Sequence, residues 1–132
     1  MNSNSNSFDT PRKMTGFKRF YHASVYSWQG LKAAYANEPA FRYEVWGGAL
    51  LIPASFFLAA SPVQWALLIS VYLMVLLVEL LNTAVEAVVD RIGDEYHDLA
   101  GLAKDLGSAA VSVALVICTV TWGAVLVQNM AG

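Results

Sequence analysis

Cysteine is almost missing from this chain. The single thiol, Cys118, lies inside an apolar run, so no internal disulfide can form, and the residue reads as a small packing group. No cluster of Cys and His marks a zinc site. Charge is scarce as well. Asp, Glu, Lys and Arg make up 14% of the residues and the net charge is −2, so there is no basic field to hold nucleic acid. Neither GxxxxGKS/T nor GxGxxG occurs, which removes the phosphate loops of soluble nucleotide enzymes. Met1 to Ser7, MNSNSNS, has no apolar stretch and does not read as a secretory signal. Residues 1–15 are expected to be a disordered polar tract.

What is present is apolar. Hydrophobic residues reach 57% and the mean hydropathy is +0.48. With apolar runs of near-spanning length, the class is an all-α integral membrane protein, and the length suits one domain, residues 16–132. Three spans are predicted, at about 43–63, 65–90 and 106–128. Pro53 is expected to kink or open the first, and Ala60-Ser61-Pro62 to turn into the second. Ahead of them, residues 16–37 carry Phe17, Phe20, Tyr21, Ser24, Trp28, Leu31 and Tyr35 at three- and four-residue spacings. Lys18, Arg19 and Lys32 fall between these, the pattern of an amphipathic helix lying on a membrane surface. Pro39 starts a new helix and leaves Glu38 at the bend. Gly93 and Gly101 punctuate a polar connector, residues 91–104.

The second span holds the chemistry. At about 100° per residue, Asn82, Glu86 and Asp90 fall near −60°, −20° and +20° from Glu79. All four share one narrow face of a helix otherwise built of Leu, Val and Ala. Ionisable groups at membrane depth face protein or a water-filled cavity and mark function. The stripe suits a metal site or proton transfer, and a proton-coupled transporter or channel subunit would use it equally well. A polar stripe can also be simple glue between helices. The Lys and Arg residues either precede the first span or lie between the second and third, so the N-terminus is expected in the cytoplasm and the C-terminus outside. Glu38, the stripe's polar end, the connector and the surface helix would then meet at the cytoplasmic face.

Specific blocks go further. They are Tyr26-Ser27-Trp28-x-Gly30-Leu31-Lys32 and Asn37-Glu38-x-Ala40-Phe41-Arg42. Glu79-x-x-Asn82-x-Ala84-x-Glu86 leads into Asp90-Arg91-Ile92-Gly93-x-Glu95-Tyr96-His97, and Lys104-Asp105-x-Gly107-Ser108 closes the set. In these the chain resembles the small bacterial diacylglycerol kinase family over about residues 15–130. Span one and the polar N-terminal tract match least, and Pro39 stands where the family often has a small residue. The resemblance implies a homotrimer of three-span subunits with a surface helix, sharing active sites between neighbours in the inner membrane. It implies transfer of phosphate from ATP to diacylglycerol, giving phosphatidate. Glu79 would be the general base, with Asn82 orienting the site and Lys104 neutralising phosphate. Glu38 and Glu86 would hold Mg²⁺. Arg19, Tyr26, Asp90, Glu95 and His97 would position the nucleotide, Ser108 and Trp122 would meet the lipid, and Asp105 would be structural or support Lys104. Related enzymes of the same architecture phosphorylate undecaprenol and share the stripe, but the surface helix and the connector look more like the diacylglycerol enzymes.

Overall fold

A computed structural model describes residues 15–93, 95 and 97–132. The expected disordered tract falls outside these, apart from Thr15. All four elements are helices: α1 (Phe17–Asn37), α2 (Pro39–Leu58), α3 (Pro62–Ile92) and α4 (Asp98–Ala131). No strand occurs among the described residues. The chain divides into two compact units, Met1–Lys32 and Ala33–Gly132.

In the first unit α1 leaves Phe17, Phe20, Tyr21, Tyr26 and Trp28 exposed. Lys32 Nζ stands 5.8 Å from the centroid of the Trp28 ring, a cation–π placement. Ser24 and Ser27 spend their hydroxyls on the carbonyls of Phe20 and Ala23, one turn back.

In the second unit one residue separates α1 from α2. Glu38 is extended, at φ −112° and ψ 104°, and Pro39 opens α2. The helix runs through Pro53 and stops at Leu58. The predicted span at 43–63 therefore ends early, because Ala59 and Ala60 are apolar yet already belong to the turn. The uncharged part, Val45 to Leu58, rises roughly 20 Å at 1.5 Å per residue, against a hydrocarbon layer of about 30 Å. Arg42 and Glu44 occupy its first turns. Among the described residues, α3 and α4 are the two helices long and apolar enough to cross a membrane.

Both are longer than their predicted spans. Ser61 caps α3, its Oγ accepting the Gln64 N–H at 3.2 Å, and Gly93 ends it with φ 155°, a conformation that side chains rarely tolerate. Gly101, expected to punctuate, lies inside α4 instead. His97 caps that helix and Asp98 complements its dipole, so the connector shrinks to the residues between Ile92 and Asp98.

Leu68, Val71, Tyr72, Val75 and Glu79 are the buried positions of α3. Their three- and four-residue spacing is one helix face, packed mainly on α4 and less on α2. Ala114 and Val125 are the buried apolar positions of α4, and Phe41 is buried on α2. Only 28% of the apolar window of α3 and 11% of that of α4 is buried within the chain, so lipid or other protein must cover the rest. Two glycines mark close approaches. A Cβ on Gly48 would strike the Tyr72 ring and hydroxyl, and one on Gly107 would strike the Asn82 amide. Tyr72 completes the first contact by donating its hydroxyl to the Glu44 carbonyl at 3.0 Å.

The end of the bundle away from the stripe is tied by amides. Gln64 Oε1 accepts from Ala60 N–H at 2.8 Å and from Asn129 Nδ2 at 3.0 Å. Its Nε2 donates to Gln128 Oε1 at 3.1 Å and to Asn129 Oδ1 at 3.2 Å. Asn129 Nδ2 also donates to the Leu58 carbonyl. The end of α2, the start of α3 and the end of α4 thus share one clasp.

Candidate functional site

Glu79 continues the buried apolar face of α3 and is only 5% exposed. Three turns of the same helix then carry Asn82, Glu86 and Asp90 toward its polar end. Asn82 donates from Nδ2 to Glu86 Oε1 at 3.4 Å, while its buried Oδ1 has no hydrogen-bond partner among the described residues. At the top of the stripe Lys104 Nζ, on α4, reaches Asp90 Oδ1 at 2.7 Å. That hydrogen bond, together with the charge of Asp90, holds the Lys104 ammonium above its ordinary value. Asp105, expected to support Lys104, is exposed and makes no ion pair among the described residues; the α3 carboxylate takes that place.

Glu38 and Glu86 both lie within electrostatic range of Glu79, and so does Glu44. Glu44 had no expected role. It is half-buried, its Oε2 has no partner among the described residues, and it lies within electrostatic range of Glu79. The available signal was a charged residue at the start of the predicted apolar span. Arg42 Nε, Thr83 Oγ1 and Trp122 Nε1 are also buried without partners among the described residues. An uncommitted buried donor of this kind usually serves a ligand, a water or a neighbouring protein.

The polar end opens into a cavity of about 700 Å³ lined by Val89, Ile92, Gly93, Glu95, His97, Leu99 and Ala100. A connected recess brings in Asp90, Gly101 and Lys104. The size suits a small ligand. His97 accepts the Leu99 N–H on Nδ1 at 3.1 Å, so in the neutral ring the proton sits on Nε2, free to donate. Glu95 and His97 are exposed here, and Ser108 is exposed on α4 with its carbonyl accepting from Ser112 Oγ. Arg19 and Tyr26 stand exposed on α1, in the other unit.

Among the described residues no three of His, Cys, Asp and Glu converge as a complete metal shell. Glu38, Glu44 and Glu86 are nevertheless hard carboxylate donors within electrostatic range of Glu79, and a divalent cation relieves repulsion among such groups. Mg²⁺ commonly takes one or two carboxylates and completes its octahedron with water and phosphate. The residues present therefore fit a partial Mg²⁺ site and do not fit a closed one.

A family model for prokaryotic diacylglycerol kinase matches residues 25–126. A diacylglycerol kinase from Haemophilus influenzae is 50% identical over 114 residues, covering 86% of this chain and 97% of its own. One from Escherichia coli K12 is 50% identical over 108 residues, covering 82% and 88%. One from Helicobacter pylori 26695 is 41% identical over 116 residues, covering 88% and 91%.

Proposed function

The chain belongs to the prokaryotic diacylglycerol kinase family, and from that premise we propose how its own residues carry the reaction. The activity is phosphorylation of diacylglycerol in a membrane, with ATP as phosphoryl donor. The reading rests above all on Glu79. It is a carboxylate buried at the apolar end of a polar stripe whose other end meets a cavity. A lipid hydroxyl arrives from the apolar side and a nucleotide from the polar side. Glu79 takes the proton of the lipid hydroxyl as that oxygen bonds to the γ-phosphorus. The bond from the γ-phosphorus to its bridging oxygen breaks, and ADP leaves with the electron pair. Lys104, kept charged by Asp90, sits where developing phosphate charge needs a cation.

Glu38 and Glu86 hold Mg²⁺, which neutralises and orients the phosphates when bound. Asn82 orients Glu86 through its amide. Glu95, His97, Arg19 and Tyr26 position the nucleotide, with Asp90 acting through Lys104. Ser108 and Trp122 meet the lipid. The exposed aromatics and cations of α1 lie on the membrane surface, the polar end of the stripe faces the cytoplasm across the inner membrane, and α2 makes the third span. The uncovered apolar faces of α3 and α4 pack in a homotrimer, which lets neighbouring subunits complete each partial site.

Purified protein in mixed micelles, given labelled ATP and Mg²⁺ with diacylglycerol and undecaprenol in parallel, tests this. Labelled phosphatidate as the main product is expected. Labelled undecaprenyl phosphate would keep the mechanism and replace the substrate. No transfer to either lipid by folded protein would return the stripe to proton-coupled transport.

A further inference from the structure

Glycine inside a helix weakens it and needs a reason. Gly107 lies near the start of α4, three residues beyond Lys104, and its backbone is ordinary helix with no positive φ. Conformation therefore does not explain it. Its surroundings do. The position a Cβ would take is already occupied by the Asn82 side chain, with Oδ1 nearest, Cγ 3.1 Å away and Cβ 3.7 Å away. Gly30, Gly47 and Gly123, by contrast, face open space.

The obstructed atoms belong to a side chain that can rotate, so the fold has a way to accept a larger residue here. Rotation has a consequence for the stripe. Asn82 Nδ2 is the group that donates to Glu86 Oε1, and Oδ1, lacking any hydrogen-bond partner among the described residues, rests against the α4 backbone. The α-hydrogen that stands in for a side chain at Gly107 points toward that oxygen, a weak Cα–H···O arrangement. The amide is thus held between two helices, with its donor end aimed at the carboxylate. If it swings away from α4, the carboxylate loses its only hydrogen bond from the stripe.

We infer that Gly107 is a positioning residue for metal binding. The absence of its side chain sets the Asn82 amide, and through it the direction of Glu86. This rests on the reading of Glu86 as a Mg²⁺ ligand.

The test is a double-mutant cycle on the full-length protein in detergent micelles, using Gly107→Ala, Asn82→Ala and both together. The first readout is Mn²⁺ affinity by electron paramagnetic resonance, in the presence of a non-hydrolysable ATP analogue. The second is the Mg²⁺ concentration that half-saturates turnover. Gly107→Ala is expected to weaken Mn²⁺ binding about tenfold, and the double variant to bind no more weakly than Asn82→Ala, because the alanine acts only through the amide. Wild-type Mn²⁺ affinity in Gly107→Ala, or two losses that simply add, would overturn the inference. If Gly107→Ala fails to fold, the double variant decides. A folded double variant places the clash at Asn82, and an unfolded one shows that α4 packing alone requires glycine. Failure of the underlying reading looks different: Glu86→Gln would then bind Mn²⁺ and turn over like the parent protein.

Discussion

Replacing Glu79 by Gln should move activity and stability in opposite directions. The amide matches the carboxylate in shape, so the buried face of α3 keeps its packing. If Glu79 is the general base, its loss slows the proton-transfer step by about 10²–10⁴-fold, or about 2.7–5.4 kcal/mol of barrier. Stability follows other physics. Glu79 is 5% exposed and shares its surroundings with Glu38, Glu44 and Glu86. Two like charges several ångströms apart repel by about 2 kcal/mol at an effective dielectric near 20. A carboxylate buried without a counter-charge carries a desolvation cost that a neutral amide of the same shape largely avoids. A gain of about 1–3 kcal/mol against unfolding is therefore expected alongside the loss of turnover. Phosphate transfer in mixed micelles measures the first, and denaturant unfolding in the same detergent measures the second. Turnover within tenfold of the parent would refute the base assignment. Lower stability with lower activity would show that Glu79 is a packing group whose hydrogen bonding the fold needs.

Asp90→Asn should let Lys104 lose its proton at lower pH. A pKa raised by Asp90 keeps the ammonium charged to higher pH, so removing that carboxylate should shift the alkaline limb of the pH–activity profile toward neutral, and an unmoved limb would separate Lys104 from Asp90. Gly48→Ala should destabilise the protein by about 1–3 kcal/mol through overpacking against Tyr72. Adding Tyr72→Phe should recover part of that in an unfolding titration, since the hydroxyl is the atom struck first. Glu86→Gln should raise the Mg²⁺ concentration needed for half-maximal turnover by about tenfold or more, comparable to a lost supporting interaction at a metal site. An unchanged requirement would move the metal elsewhere.

The stripe was legible because a membrane segment has so few polar residues that four on one face stand out against Leu, Val and Ala. Pro39, Pro62 and Gly93 punctuate the helices as their backbone chemistry requires. Hydropathy located membrane segments rather than helices, so it missed the polar start of α4, where His97 and Asp98 supply the cap and the charge. It also carried the first span through Ala59 and Ala60, whose composition does not distinguish a helix end from a turn. The Lys104–Asp90 pair and the Gly107–Asn82 contact depend on the register of α4 against α3, which neither helix encodes alone. Glu44 was assigned no role for a related reason: its proximity to Glu79 is set by how α2 leans on α3, through Tyr72 and Gly48.

The amide clasp at the far end gives this architecture a fulcrum. Gln64 and Asn129 fasten α2, α3 and α4 together at one extremity. The 31 residues of α3 make a lever arm of about 46 Å at 1.5 Å per residue. A splay of only about 5° at the fulcrum opens the opposite tip by about 4 Å over that length. The tip is where Lys104 and Asp90 join the two long helices, so their ion pair spans the gap at the position of greatest mechanical advantage.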